Sequence, residues 1–495
     1  MSVSDKDFKD IELLPVKSIE SKDSIDQCDP LTWPIRIRII NTIIISFMTM
    51  LCMYGSSVFM PSIPELCEKF GEPETLVVLG ATLYVIGVML GPLIFSPLSE
   101  LYGRRPLNIF GYTLFALMQI PTALSVNLAM FVVFRFFSGF FGSVGLGIGA
   151  GSLSDMFSKR DRGKYIGIYF LGICLGPAIA PIASGFIAGS SISWRWEFWI
   201  LLMLSGVSLL AGVVFLKETY APVLKRKQAK KLLEKQENQK SVEVKISEIT
   251  ESSQQIDPDK SFAEVVHILV TTIRRPLHLL CTQPIMILIS LIVGTVYGIL
   301  YLLFTAFAEV WISQYHFTSG LSGLTYISLS IGQVFAVFVL LPLNQKYWLS
   351  AVQKNNGVPE PEFRLPMAFL GCFAIMTGMF IFGWTVQYKV FWFVPLIGTT
   401  LVGAGFVMTF NPMNMFIVDN YGRYAASAMA AIAIPRNIFG ACFPLFAEKL
   451  FERLGYGWGS SLLAFLLVAI NFSIAALYMF GKTIREKRPF DHTKY

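Results

Sequence analysis

Gly91-Pro-Leu-Ile-Phe-Ser-Pro-Leu-Ser-Glu100-Leu-Tyr-Gly103-Arg104-Arg105-Pro106 is the stretch on which the reading of this chain turns. It begins inside an apolar run and ends on two adjacent arginines. Its glycines allow a tight turn at a membrane edge. Glu100 can form charge pairs with Arg104 and Arg105, and Asp155, which falls at the same edge, is a partner for Arg104. Such a cluster, formed in one conformation and broken in another, acts as a switch that holds the two halves of the molecule together in one state. The plainer alternative is a basic loop with no switching role.

Working outward, runs like the one that precedes Glu100 recur along the whole chain. Of 495 residues, 54% are apolar and 15% are charged, against about 25% charged in an ordinary soluble domain. About 20 apolar residues are needed for a helix to cross about 30 Å of hydrocarbon. Twelve such runs are predicted, at 38–61, 76–96, 107–125, 128–152, 164–188, 197–216, 284–307, 319–342, 366–384, 390–412, 424–446 and 459–480. The fold expected is an all-α membrane protein of twelve transmembrane helices. Residues 1–35 read as a disordered cytoplasmic tail, and 481–495 as a second cytoplasmic tail. The runs divide six and six, as 36–216 and 284–480, around a hydrophilic linker at 217–283. The end of that linker, from Ser261 to Leu280, has helical apolar spacing and reads as an interfacial or bundle-packed helix.

Arg36, Arg38, Arg104, Arg105, the basic residues from Lys159 to Lys164, the 217–283 stretch, Arg364, Arg423 and the basic residues from Lys482 to Arg488 fall on one side. Lys69, Arg195, Lys389, Lys449 and Arg453 fall on the other. The asymmetry places both termini in the cytoplasm. The net charge of +7 is then an orientation signal and an attraction to anionic lipid, not a footprint for nucleic acid. Of the seven cysteines, Cys52, Cys174, Cys372 and Cys442 sit in apolar runs, Cys28 and Cys281 fall on the cytoplasmic side and Cys67 faces out; they suggest no disulfide framework or metal spacing. No nucleophile, metal or phosphate constellation suggests an enzyme.

The two halves echo one another. Asp155 with Arg162 follows the fourth run, and Asp419 with Arg423 follows the tenth. Repeated halves are the architecture of a rocking transporter, with its substrate site at the midplane. Two cations lie inside apolar runs: Arg135, in Phe131-Val-Val-Phe-Arg135-Phe-Phe-Ser-Gly139, and Arg436, in Ile434-Pro-Arg436-Asn437. An intramembrane cation is costly and needs a cavity or a partner. Arg135 therefore either touches substrate or controls a proton, or it bonds only backbone carbonyls. Further candidates for a cavity are Tyr54, Tyr84, Tyr297, Tyr301, Glu309, Asn411, Asn414 and Asn437. Gly172, Gly176, Pro177 and Pro181 give the fifth run a small-residue face and a bend.

These blocks resemble the major facilitator superfamily from about residue 36 to 485. Glu100-Leu-Tyr-Gly-Arg-Arg is similar to its loop 2–3 signature. Arg135 matches its helix-four arginine tied to proton coupling, and Gly172-x-x-x-Gly176-Pro177 matches its antiporter motif. Ser96-Pro-Leu-Ser-Glu-Leu-Tyr-Gly-Arg-Arg-Pro, Trp194-Arg-Trp196, Glu218-Thr-Tyr-Ala-Pro222 and the block from Val418 to Ser427 look like the fungal twelve-span drug:proton antiporters. Polyamine-type relatives tend to carry glutamate where Thr305 aligns, which argues against a polycation; Glu309 follows one turn later.

The resemblance implies a major facilitator fold with two pseudo-symmetric halves. It further implies export of drugs or other small organic solutes by proton antiport. The partners implied are a small-molecule substrate, protons and membrane lipid, with no cofactor beyond the proton gradient. A functional monomer in the plasma membrane, or else the vacuolar membrane, is the expected setting. The alternatives are a nutrient importer or uniporter on the same fold and, more remotely, a receptor that transports nothing.

Overall fold

The computed structural model describes residues 29–158, 162–226, 274, 276–421 and 425–487. Within them, ten stretches are long and apolar enough to cross a membrane. One of the ten, Ser427–Arg485, is two helices, because the helical run Ala425–Lys487 breaks at Gly455 (φ 71°, ψ 169°). A left-handed φ of this kind suits glycine, which carries no Cβ. The 20-residue helix Arg104–Ala123 is the remaining span. Its low apolarity comes from Asn108, Gln119 and Thr122, all buried against neighbouring helices. The described residues therefore hold twelve spans.

In chain order the spans are α1 (Ile35–Ser57), α2 (Leu79–Tyr102), α3 (Arg104–Ala123), α4 (Leu128–Met156), α5 (Arg162–Ala188) and α6 (Arg195–Phe215). Then come α7 (Pro284–Tyr315), α8 (Ser319–Lys354), α9 (Leu365–Gln387), α10 (Phe393–Tyr421), α11 (425–454) and α12 (456–487). All backbone bonds of such segments close internally, as hydrocarbon requires. Their starts carry local caps: Asn127 Oδ1 accepts from the Met130 N–H at α4, and Thr318 Oγ1 from the Leu321 N–H at α8.

Helix pairing repeats between the halves. In the first, α1 packs on α5, α2 on α4, and α3 on α6; in the second, α7 packs on α11, α8 on α10, and α9 on α12. Glycines set these approaches. A Cβ at Gly139 would run into the Tyr84 backbone, and one at Gly383 into Ser460 and the Tyr456 carbonyl. The contacts between halves obey the same pseudo-symmetry, α5 with α8 and α2 with α11.

Those contacts lie toward the face remote from Gly103. There Gly185 of α5 meets the backbone of Ser319 and Gly323 of α8. Thr82 Oγ1 of α2 donates to the Ala441 carbonyl of α11 (3.0 Å), and Thr75 Oγ1 to Glu448 (3.3 Å). The two halves thus close on one another at the face opposite Arg104.

Three expectations change. The stretch 91–102 is helix throughout, and the connection between α2 and α3 is Gly103 alone (φ 98°). Gly91 sits inside α2, where a Cβ would clash with Ser143 and the Phe140 carbonyl of α4, so its role is close packing rather than turning. The helix α7 runs on to Tyr315, eight residues past its predicted end, because His316 takes the left-handed conformation that stops it (φ 55°). Of the linker helix expected from Ser261, residues up to 273 lie outside those described, and 276–282 are helical.

Candidate functional site

The residues singled out from the sequence fall into four places. The first is the face that bears Gly103. Arg104 Nε bonds Asp155 Oδ2 at 2.5 Å, joining the start of α3 to the end of α4. In the second half Arg364, just ahead of α9, bonds Asp419 at the end of α10 at 3.0 Å. Each pair therefore ties the third helix of a half to its fourth. In this conformation, closed at the opposite face, neither pair bridges the halves. Arg162 begins α5; Arg423 lies outside the described residues.

Glu100 also departs from its expected pairing. It is exposed near the end of α2, and the carboxylate that serves the arginines is Glu218. Glu218 is 7% exposed and accepts from the backbone N–H of Arg104 (2.9 Å) and of Arg105 (3.1 Å). It satisfies two of the orphan donors at the α3 N-terminus and complements that end's partial positive charge. Arg105 itself donates to the Val213 carbonyl (2.9 Å), and the Arg104 guanidinium lies 5.2 Å from the Tyr220 ring. Burial, with the Glu100 and Asp155 carboxylates nearby, holds the Tyr220 hydroxyl above its usual pKa, so the ring meets Arg104 in its neutral form. Glu218 and Tyr220 carried a signal in the sequence, the Glu218-Thr-Tyr-Ala-Pro222 block, but residues 113 or more apart give no spacing from which to pair them.

The second place is the interior of the first half. Arg135 is fully buried and donates to the carbonyls of Gly55 (2.6 Å), Ser56 (3.3 Å) and Gly80 (3.3 Å). Its guanidinium lies 4.2 Å from the Tyr84 ring centre and 5.0 Å from that of Phe59. In this structure the guanidinium is held by backbone carbonyls, and Arg135 fastens α4 to α1 and α2. Tyr84 is occupied structurally, its hydroxyl bonding the Cys52 carbonyl. Tyr54 is buried on α1, against Gly176 of α5.

The face of α5 explains that approach. A Cβ at Gly172 would press on the Ser46 carbonyl, and one at Gly176 on the Met50 carbonyl and the Tyr54 N–H. Pro177 cannot donate, but its carbonyl accepts from Ser57 Oγ at 2.7 Å. The Pro181 carbonyl approaches Gly323 of α8, so this one helix links the packing of the first half to the contact between halves.

The third place is the midplane between the halves. Tyr297 and Tyr301 of α7 meet with their rings tilted by 35°, centroids 4.8 Å apart and hydroxyls 3.3 Å apart. Tyr301 donates to Ser56 Oγ of α1 at 3.2 Å, across the two halves. The Arg436 guanidinium lies 5.1 Å from the Tyr297 ring centre and 5.7 Å from that of Phe410, and its Nε has no hydrogen-bond partner. Phe410 stacks on Phe170 of α5 at 5.4 Å. Asn437 is 1% exposed, and its Oδ1 is unpartnered. Asn411 and Asn414 are partly exposed on α10. Arg135 and Arg436 do not share one cavity; they are linked through Ser56, Tyr301 and Tyr297.

The fourth place lies at the opposite face. Glu309 lines a cavity of about 190 Å³ together with Glu74, Thr75, Glu448, Glu452 and Tyr456. Its walls come from both halves. Thr305 lines it too, so the position where a glutamate was missed is within reach of four others. Among the described residues no group of His, Cys, Asp and Glu could hold a metal ion.

This architecture has counterparts among known proteins. The sequence profile of the Major Facilitator Superfamily matches residues 45–444. The chain belongs to that superfamily. An uncharacterized transporter of Schizosaccharomyces pombe is 51% identical, over 99% of this chain and 98% of its own length. The efflux pump radE of Floropilus chiversii is 36% identical, over 94% of this chain and 84% of its own. The MFS-type transporter hepF of Aspergillus oryzae is 35% identical, over 95% and 94%. Among solved structures, the xylose transporter XylE from E. coli in a partially occluded inward-open conformation superposes with a TM-score of 0.64. It covers 90% of this chain and 98% of its own at 16% identity, a likeness of fold alone. This major facilitator is a multi-pass membrane transporter and not an enzyme.

Proposed function

We propose that this transporter exports small organic solutes, drugs among them, in exchange for protons by alternating access at the plasma membrane. The observation that carries the reading is the polar path across the halves. It runs from Arg135 through Ser56, Tyr301 and Tyr297 to Arg436. A change of charge in the first half thereby alters contacts at the midplane, where a solute between two rocking halves would lie. Protonation then biases which side is open by binding the two conformers unequally.

The aromatic lining of Tyr297, Phe410 and Phe170, with one hydrogen-bond-deficient cation, suits apolar solutes that carry a polar group. Export is supported by the glycine face of α5 and by the efflux pump among the relatives. On this reading the Gly103 face is cytoplasmic, both termini lie there, and the monomer is the working unit. The test is transport by the purified chain in lipid vesicles under an imposed pH gradient, with a panel of solutes. At least one solute should move against its gradient while protons flow the other way. If none does, proton-driven export is wrong.

A further inference from the structure

Glu197 stands outside every role described so far. It is the third residue of α6 and only 1% exposed. Its Oε1 accepts from Ser62 Oγ at 2.5 Å, and its Oε2 has no hydrogen-bond partner among the described residues. Phe131, Trp194 and Phe198 pack edge to face around the start of α6. Arg135 lies within electrostatic range, but three of its five N–H groups are held by the carbonyls of Gly55, Ser56 and Gly80. The other ionisable groups that face it are Tyr54 of α1 and Glu65 of the short helix Ile63–Phe70.

We infer that Glu197 is the carboxylate that takes up and releases the exchanged proton, with Arg135 sensing its charge. The inference rests on the proton-coupled reading above and names its site. An ionised carboxylate with one bare oxygen in an apolar enclosure is costly, whereas the neutral acid loses far less on leaving water. As drawn, the site therefore suits the protonated form. Loss of the proton leaves an anion whose nearest cation is bound elsewhere. The guanidinium is then drawn away from the carbonyls of α1 and α2 toward Glu197. Ser56 is shared between Arg135 and Tyr301, so that movement loosens the contact between halves. Glu65 supplies the entrance: it is exposed, lies one turn beyond Ser62, and its Oε1 accepts from the Trp194 N–H at 3.4 Å. The proton comes from solution at the face opposite Gly103 and departs once the molecule has turned to the other side.

The test is infrared difference spectroscopy of the purified full chain in lipid nanodiscs, between low and high pH. Wild type should show a protonated-carboxyl C=O band that disappears as the pH rises. Glu197→Gln should lack it, and Glu309→Gln should keep it. Ser62→Ala should move it to higher frequency, because a C=O that loses a hydrogen bond is stiffer. A band unchanged in both Glu197→Gln and Ser62→Ala overturns the assignment, whatever the vesicles transport. If the band behaves as stated and no solute responds to a pH gradient, it is the export reading that falls. The spectrum needs no transported solute, so the two failures are distinct.

Discussion

Gly185→Ala should open the face opposite Gly103 without harming the first half. A Cβ there would stand 2.8 Å from the Ser319 carbonyl oxygen and 2.9 Å from the Gly323 Cα. Both are backbone atoms of α8, so no side chain can swing aside. Overpacking of this kind costs about 1–3 kcal/mol. Both clashes lie between the halves, so the cost falls on the state in which this face is closed. The gain in helix propensity, about 1 kcal/mol from Gly to Ala, acts in both conformers and cancels. A bias of about 1–3 kcal/mol is roughly a 5- to 150-fold change in the ratio of open to closed.

The assay is the labelling rate of a single cysteine by a membrane-impermeant maleimide. It is placed at Thr305, 5% exposed in the cavity at that face, in a chain freed of its seven native cysteines. Gly185→Ala should speed labelling by that ratio. Gly167→Ala is the control, since a Cβ there meets nothing within 4 Å. If Gly185→Ala labels no faster than the control, the closing contact between α5 and α8 does not set this equilibrium.

Three further outcomes follow from the geometry. Glu218→Ala removes the acceptor of two backbone N–H groups and should lower stability in thermal unfolding by about 1–3 kcal/mol, with Glu218→Gln in between; an unchanged melting temperature refutes its capping role. Asp155→Asn and Asp419→Asn each break an ion pair within one half and should each cost about 1 kcal/mol or less, since their carboxylates are 21% and 32% exposed. Their double mutant should be additive to within about 0.5 kcal/mol, and a larger departure in denaturant titrations would mean that the clusters couple the halves after all. Arg135→Ala takes a charged donor from three carbonyls and should lower the amount of folded protein by a stability loss of about 2–3 kcal/mol, read by size-exclusion chromatography of the solubilised chain. A well-folded Arg135→Ala would return this arginine to a purely functional role.

The first half and the second were legible in the chain because a span needs only about 20 consecutive apolar residues, a local property. So were the ionic partners Arg104 and Asp155, each at the end of its own run. The rung inside the second half, Arg364 with Asp419, was not: the echo of Asp155 pointed to Asp419, but its arginine sits 55 residues away at another helix end. Nothing in the sequence around Glu197 shows its burial, which is decided by Phe131 and Ser62 from other elements. The same holds for Arg135, whose two roles differ only in whether carbonyls or a cavity lie opposite its side chain.

What the sequence by itself determined is the number of spans, their division six and six, and the chemistry available at each end. Solvation in hydrocarbon acts on each segment separately, so composition suffices for this. Tertiary structure alone decided which charges meet. It placed the ion pairs within halves, gave the α3 cap to Glu218 in place of Glu100, and linked Arg135 to Arg436 through two tyrosines. Those choices depend on short-range contacts between helices far apart in the chain, where glycine approach and helix rotation move a side chain from lipid to cavity to core.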